Sequence, residues 1–252
     1  MADEERILRP GAIALITGAS SGIGKAIADQ LLARGLRVIC CARRRPALEA
    51  AFADQRAATL IHPLDVTDPQ ATAGLIAALP EDWREIDILI ANAGSDVGGR
   101  QRFDQGAVED WAGTIETNVN GVIRVCHAVI PGMLARGRGH VVTVGSVAGV
   151  KIAANSPAYF TSKHAVHALS TLLREDFKRE PLRITEILPG MVRTDFATAR
   201  ERGDAAAAEA FYEDWPGGYL EAEDVARTAL FALEQPPQVN VGQILVSATR
   251  DK

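Results

Sequence analysis

A phenol and an ammonium four residues apart, Tyr159 and Lys163, form the pair in this 252-residue sequence best suited to moving a proton. On a helix that spacing puts both on one face, one turn apart. A tyrosine titrates near pH ~10, so bringing it to neutrality takes roughly 2–3 pH units, or about 3–4 kcal/mol. A unit charge about 4–5 Å away at an effective dielectric of ~20 supplies that much. The spacing therefore predicts an acid–base catalyst made by the lysine alone, without unusual desolvation. In a chain with three tyrosines and five lysines, chance yields about 0.06 such pairs, so the motif takes its weight from what stands upstream. The helix that carries it begins at Asn155-Ser156-Pro157 and runs to about Arg179. Ser156 is a good N-cap, and Pro157 suits the first helical position, where its missing N–H would be unpaired anyway. Val166, Leu169, Leu172, Leu173 and Phe177 recur at helical spacing and predict a core-facing stripe.

The elements that must position this pair alternate regularly. Ala12–Ile16 is a continuous apolar run, the pattern of a strand buried on both faces. It runs into Thr17-Gly18-Ala19-Ser20-Ser21-Gly22-Ile23-Gly24, and a helical pattern follows (Ile27, Leu31, Leu32) until Gly35. Strand, glycine-rich turn and helix together predict a diphosphate site, since glycines admit the ligand's approach and the helix N-terminus offers free N–H groups. A tight turn without ligand is the alternative. The second strand, Leu36–Ala42, ends where a carboxylate would grip a ribose 2′-OH, but Ala42 stands there and Arg43-Arg44-Arg45 follow. That pattern predicts NADP(H) in preference to NAD(H), with Arg43 and then Arg44 for the 2′-phosphate. A solvated basic helix start is the other reading of Arg44 and Arg45.

A third strand over 58–66 brings Asp65 and Val66 toward an adenine, and a helix from about Pro69 to Leu79 follows. Ile86–Ala91 is the fourth strand, leading to Asn92-Ala93-Gly94, small residues suited to passing beneath a ribose. After a polar loop at 95–106, a long helix runs from about Val108 to near Gly137. Asn118 sits in its middle, where Asn competes for backbone hydrogen bonds, and with Asn120-Gly121 it predicts a kink or water site. The fifth strand, Gly139–Val144, ends in Gly145-Ser146, placing a hydroxyl at the carboxyl edge of the sheet. Arg183–Leu188 is the sixth strand, cut by Pro189-Gly190 before Met191-Val192-Arg193-Thr194. The excursion at about 190–220 holds an Ala-rich helix (Ala205–Ala210) with Phe211, Tyr212 and Trp215, the makings of a lid. A helix over Glu221–Glu234 and a strand over Gln243–Val246 close the chain. The alternation predicts one α/β domain over 1–252, a doubly wound, seven-stranded, mostly parallel sheet with helices on both faces.

Composition excludes several classes. At 47 % hydrophobic and 23 % charged residues, the chain can build a sizeable core. A net charge of −5 argues against nucleic acid as partner. The acidic N-terminus lacks the apolar centre of a signal peptide, and no apolar run reaches the ~18 residues of a membrane span. Three cysteines, two adjacent (Cys40, Cys41), make no disulfide framework, so the expected location is cytoplasmic. His164 and His167 have no carboxylate at ligand spacing, and His62, His127 and His140 are unpaired, so no metal is expected.

Taken together, Thr17-Gly18-x3-Gly22-x-Gly24, Asn92-Ala93-Gly94, Asn118, Ser146, Tyr159-x3-Lys163 and Pro189-Gly190-x3-Thr194 resemble the short-chain dehydrogenase/reductase family in order and spacing. The resemblance implies a single Rossmann-type domain, a nicotinamide cofactor, and homo-oligomers, usually tetramers, packed through the two long helices. It implies Tyr159 as proton donor or acceptor, Lys163 as its cation and as a hold on the nicotinamide ribose, and Ser146 on the reacting oxygen. Asn118 would position a relay water. Cofactor contacts would come from Gly18, Ser20, Ser21, Gly22, Ile23, Gly24, Arg43, Arg44, Asp65, Val66, Asn92, Ala93, Gly94, Tyr159, Lys163, Pro189, Gly190, Val192 and Thr194. Within the family the chain is most similar to NADP-dependent 3-hydroxy acid (serine) dehydrogenases and related small-aldehyde reductases. Ile86–Gly94, Asp110-Trp111-x5-Asn118, Ile130-Pro131-Gly132-Met133 and the segment from Leu220 carry this. Ala91 and Thr161 depart from the usual pattern without removing a catalytic group. Arg100, Arg102, Lys151, Arg200 and Arg202 lie in loops where one or two of them would meet a small anionic substrate. The alternatives are a 3-oxoacyl-thioester or broad carbonyl reductase, and a catalytically silent NADP-binding scaffold.

Overall fold

The computed structural model describes residues 6–213, 215 and 217–250. In chain order the first half reads β1 (Ile13–Thr17), α1 (Gly22–Leu32), β2 (Arg37–Ala42), α2 (Arg45–Ala51), β3 (Thr59–Pro63), α3 (Pro69–Ala73), β4 (Ile86–Ala91) and α4 (Val108–Ile115). The second half reads α5 (Gly121–Ala135), β5 (Gly139–Val144), α6 (Pro157–Asp176), β6 (Leu182–Pro189), β7 (Val192–Arg193), α7 (Phe196–Arg200), α8 (Ala205–Glu213), β8 (Leu220–Glu221), α9 (Ala222–Leu233) and β9 (Gln243–Val246).

The continuous apolar runs become strands because helices cover both faces of the sheet. Its order is β3-β2-β1-β4-β5-β6-β9, and every neighbouring pair is parallel. This is the doubly wound architecture expected from the sequence. Successive residues of β1 serve opposite cores: Ala14 and Ile16 pack with Ile27, Leu31, Val225 and Leu230, whereas Ile13 and Leu15 pack with Val125, Val129 and Val166. Strand order reverses between β1 and β4, so a crevice opens at the carboxyl ends of these strands. β7 and β8 pair apart from the main sheet and tie the excursion after β6 to the start of α9.

Several elements differ from expectation for local reasons. α3 stops at Ala73 rather than Leu79: Asp68 caps it through the Gln70 and Ala71 amides, but Gly74 ends it, and turns carry Leu75 and Leu79 into the core. The long helix expected from Val108 is interrupted by a π-helical turn over Glu116–Asn120, with the Gly121 amide bonded to the Glu116 carbonyl. The extra residue in that turn is the kink that Asn118 and Asn120-Gly121 foretold. α6 ends at Asp176. Ser156 occupies its N-cap without capping, for its hydroxyl donates to the Asn155 carbonyl instead. Leu169, Leu173 and Phe177 pack on the core as expected, but Leu172 faces solvent.

Asp87 locks the sheet centre. The β1–β4 register shifts between Ile13 and Ala14, and the buried Asp87 carboxylate accepts the Ile13 amide at 3.1 Å across the irregularity. The same carboxylate takes Arg9 at 3.1 Å and Arg138 at 2.8 Å. Asp87→Ala strands a buried amide and releases both arginines. Urea unfolding should report a loss of about 2–3 kcal/mol with the fold retained.

Candidate active site

A cleft of about 910 Å3 follows the carboxyl edge of the sheet and takes in both the glycine-rich turn and the Tyr159–Lys163 turn. The glycine-rich turn is built by packing on itself. Gly18 has a φ of +68°, and a Cβ there would stand 2.8 Å from Asn92 Nδ2; a Cβ on Gly24 would stand 2.4 Å from the Gly18 carbonyl oxygen. Gly24 thus serves the turn from behind and does not line the cleft, whereas Gly18, Ser20, Ser21, Gly22 and Ile23 do. Ser21 stands at the N-cap of α1 with no side-chain hydrogen bond, leaving the first amides of the helix directed at the cleft.

Asn92 is a staple. Its Nδ2 donates to the Thr17 carbonyl at 2.9 Å and to the Gly18 carbonyl at 3.3 Å, while Thr17 Oγ1 accepts the Asn92 and Ala93 amides at 3.0 Å each. The β1 and β4 turns are thereby fixed to one another. Arg43 and Arg44 line the far end of the cleft with Val66. Asp65 does not line it: its carboxylate is held in its own turn by the Thr67 amide at 2.9 Å and hydroxyl at 2.7 Å. Ala93, Gly94, Pro189, Gly190, Val192 and Thr194 line the middle of the cleft. Thr194 closes over Gly22, so that a Cβ there would stand 3.2 Å from the threonine.

At the other end, α6 presents Tyr159 and Lys163, and β5 delivers Ser146. Ser146 Oγ accepts the Ala148 amide at 3.1 Å and opens the one-turn helix that follows β5. Lys163 Nζ donates to the Val144 carbonyl at 3.0 Å and lies 5.8 Å from the Tyr159 ring centroid. Asn118, released inward by the π turn, spends its amide on protein. Its Oδ1 accepts the Ser95 amide at 2.7 Å, and its Nδ2 donates to the Ser95 carbonyl at 2.9 Å and to Ser162 Oγ at 3.0 Å. Ser162 Oγ in turn donates to the Tyr159 carbonyl at 2.8 Å. The relay water expected at Asn118 therefore cannot be held by a free side-chain amide; that amide couples the loop after β4 to the catalytic helix.

The electrostatics correct one expectation. Burial pushes the Tyr159 phenol above its ordinary range, and the Ser146 hydroxyl and Arg200 guanidinium offset this only in part. A lysine one turn away does not by itself bring the phenol to neutrality. Burial also drives the Lys163 ammonium down to about 8, with Glu186 and Asp96 pulling it back up.

Around Tyr159 the structure adds Phe196, which local sequence did not single out and which lies 5.8 Å from its ring; the Arg200 guanidinium, one of the expected loop cations, lies 5.8 Å from the same ring. Arg200 is buried in an ion pair with Asp96 at 2.8 Å. Of the loop cations expected near substrate, Arg100, Lys151 and Arg200 line the cleft. Arg102 and Arg202 turn away to Asp104 and Asp110. Arg100 and Arg200 both stand over Phe211, at 5.7 and 5.1 Å, and burial with mutual repulsion holds the Arg100 guanidinium below its usual range. Phe211, Tyr212 and Trp215 all line the cleft. Tyr212 is also a buried anchor whose hydroxyl accepts the Thr194 amide at 3.1 Å. Ser162 had a readable signal, being three residues after Tyr159 on one helix face. Asp96 and Phe196 had none, since only the tertiary fold brings their loops together.

Burial pushes the thiols of Cys40 and Cys126 up to about 12 and that of Cys41 higher still, as suits packing residues. Among the described residues no group of three or more His, Cys, Asp or Glu side chains could hold a metal. No helix among them is long and apolar enough to cross a membrane.

Comparison with known proteins agrees with this geometry. The short chain dehydrogenase family profile matches residues 12–205. The chain is 36 % identical over 233 residues to an NADP-dependent 3-hydroxy acid dehydrogenase of Salmonella typhi, covering 92 % of this chain and 93 % of that one. It is 36 % identical over 241 residues to sulfoacetaldehyde reductase 2 of Chromohalobacter salexigens, covering 94 % of each. The closed form of serine dehydrogenase complexed with NADP+ superposes with a TM-score of 0.89 at 34 % identity, covering 93 % of this chain and 94 % of that one.

The buried ammonium has a measurable consequence. The Lys163 proton is held less tightly in the fold, at about 8, than in the unfolded chain, at 10.5. The cost of burying the charge is therefore fully present below pH 8 and is relieved as pH rises toward 10.5. Lys163→Met should be more stable than the parent at pH 7, by about 2 kcal/mol after the lost hydrogen bond is allowed for. Above pH 10.5 that advantage should be gone and only the lost hydrogen bond remain, leaving Lys163→Met less stable than the parent by about 1 kcal/mol in paired urea titrations of the ligand-free proteins.

Proposed function

The chain belongs to the short-chain dehydrogenase family, and from that premise we propose that it is an NADP(H)-dependent oxidoreductase interconverting a small anionic hydroxy compound, of the 3-hydroxy acid type, with its aldehyde or ketone. The observation that carries this reading is one cleft lined at one end by Arg43, Arg44 and the glycine-rich turn and at the other by Ser146, Tyr159 and Lys163.

The residues present fit a dinucleotide. The uncapped start of α1 and the turn of Gly18, Ser20, Ser21, Gly22 and Ile23, Cβ-free at its two glycines, would hold the diphosphate. The β2 strand ends in Ala42 rather than a carboxylate, so Arg43 and Arg44 would take the 2′-phosphate unopposed. Val66 would border the adenine, and Ala93, Gly94, Pro189, Gly190, Val192 and Thr194 the nicotinamide half. Bound NADP(H) supplies the hydride in reduction and accepts it in oxidation.

The chain's own residues handle the proton. Tyr159 is loaded with its proton at neutral pH and gives it to the substrate oxygen in reduction. Ser146 bonds that oxygen and fixes it beside the phenol. Lys163 supports the phenolate with its charge and reaches the ribose. Asn118 holds the loop after β4 and the catalytic helix in register through Ser95 and Ser162. The anionic end of the substrate meets Arg100 and Arg200, which line the cleft near Tyr159; Asp96 is paired with Arg200, and Arg100 forms no ion pair among the described residues.

The enzyme is one catalytic domain whose segment at about 190–220 covers the substrate, and it works in the cytoplasm as a homotetramer. In support, Ile123 on α5 and Leu172 on α6 leave apolar side chains exposed on the two long helices, and the cysteines are free.

Tyr159→Phe should keep NADPH binding by fluorescence titration while turnover falls by about 10³-fold; retained turnover would remove the assignment. NADPH and NADH oxidation against small carbonyl acids, sulfonates, neutral aldehydes and acyl thioesters tests the substrate. Arg100→Met, which leaves the Asp96–Arg200 pair in place, should raise KM for anionic carbonyls by about tenfold and leave neutral aldehydes unaffected. Equal effects on both classes, or a parent enzyme that favours thioesters, would overturn the anionic reading.

A further inference from the structure

Beneath the catalytic turn lies a polar cluster that the roles above leave unused. Glu186 stands on β6, fully buried, with its side chain directed at α6. Its Oε2 lies 2.8 Å from His167 Nδ1 and accepts from Gln243 Nε2 at 3.1 Å. Its Oε1 is sealed from solvent and has no hydrogen-bond partner. That oxygen faces the end of β5, where a Cβ on Gly145 would stand 2.8 Å away.

Successive residues of that strand end therefore meet opposite charges. The Val144 carbonyl takes the Lys163 ammonium at 3.0 Å, and Gly145 packs on the carboxylate. Lys163 forms no direct ion pair among the described residues, and its only side-chain hydrogen bond there is to a neutral carbonyl. A buried ammonium and a buried, incompletely bonded carboxylate are each costly alone. Set against successive residues of one strand end in a low-dielectric interior, each offsets part of the cost of the other.

We propose that Glu186 is a positioning residue for the reaction, a buried carboxylate anchored by His167 and Gln243 that serves as the counter-charge keeping the Lys163 ammonium protonated. The inference rests on reading Lys163 as the cation beside Tyr159.

The charged and titratable surroundings are few. α6 contributes Tyr159, Lys163 and His167, and, further along, Arg174, whose guanidinium donates to the Gly242 carbonyl at 2.8 Å. β5 contributes neutral Thr143 and the buried His140, bonded to Thr185 at 2.8 Å. β9 offers only neutral Gln243; the π turn offers neutral Asn118 and a Glu116 that is paired with Arg124, and α4, packed on α6, carries Glu109 and Asp110, the latter paired with Arg202. Asp96 and Arg200 act from across the cleft. Glu186 is thus the carboxylate with the stronger pull on Lys163, ahead of Asp96.

The test reads the lysine directly. The chain has five lysines, so 13Cε-lysine labelling gives a sparse NMR spectrum, with the Lys163 signal identified by its loss in Lys163→Met. In the full-length protein Glu186→Gln should lower the Lys163 midpoint by about one pH unit, and Glu186→Asp should restore most of it. An unchanged midpoint in folded Glu186→Gln overturns the proposal. Should Glu186→Gln not fold, the double variant Lys163→Met/Glu186→Gln provides a second reading: with the unpaired ammonium also removed it should fold in urea titrations, and a double variant that also fails to fold overturns the proposal. Absence of turnover on every carbonyl compound would remove the enzymatic reading, whereas the NMR titration still decides the counter-charge.

Discussion

The arrangement depends on an ammonium held out of water. Lys163 reaches from α6 over the end of β5 to the Val144 carbonyl, and one such bond does not replace a hydration shell. The surrounding structure must therefore hold the helix and the strand end tightly enough that the cation has no easier place to go. Three contacts do this work together. Asn118 ties α6 to the loop after β4 through Ser162 and Ser95, Thr143 meets Ser170 at 2.8 Å beneath the helix, and Glu186 meets His167. Each joins α6 to a different partner, so the catalytic turn is pinned from below and from the side. The π turn belongs to the same logic, because a regular helix through Glu116–Asn120 would place Asn118 on a different face.

The opposite end of the cleft is governed by close approach rather than charge. Thr17, Gly18, Gly24 and Asn92 pack so tightly that side chains at the two glycines would collide with the Asn92 amide or with the Gly18 carbonyl. A shallow, rigid floor results, with helix amides directed outward at its rim. Anion binding there needs no basic side chain in the turn itself.

The sheet, the limits of several strands and the pairing of Tyr159 with Lys163 were legible in the sequence because each depends on local periodicity, although the strand expected over 58–66 stops at Pro63. Ile86–Ala91 and Gly139–Val144 coincide with β4 and β5. The kink at Asn118 was legible too, since a poor helix former in mid-helix is a local conflict. What was not legible depends on desolvation and on contacts between distant loops. Spacing gives the separation of a phenol and a lysine but says nothing of how deeply either is buried, and burial reverses the direction expected for Tyr159. Leu172 fits the apolar stripe of α6 yet faces outward, because helical spacing cannot say where the covered arc ends. Asp65 ends a strand-like run but is claimed by Thr67 two residues on. Asp96 and Arg200 are more than a hundred residues apart and carry no mark of being partners.

That last pair shows how the excursion after β6 can serve specificity without a separate domain. Arg200 is drawn under the loop after β4 by Asp96, and the Gly98 amide accepts no other role than to donate to the Arg200 carbonyl at 3.2 Å. Fixing one arginine in an ion pair removes its freedom to collapse onto the cleft floor, and it presents a second, Arg100, against the same aromatic ring. Two cations set side by side repel, and a single buried carboxylate relieves only part of that repulsion. On the proposed reading, a substrate carboxylate or sulfonate would relieve the remainder. The crowding of charge is thus a property of the two loops themselves, which set both guanidiniums over the Phe211 ring.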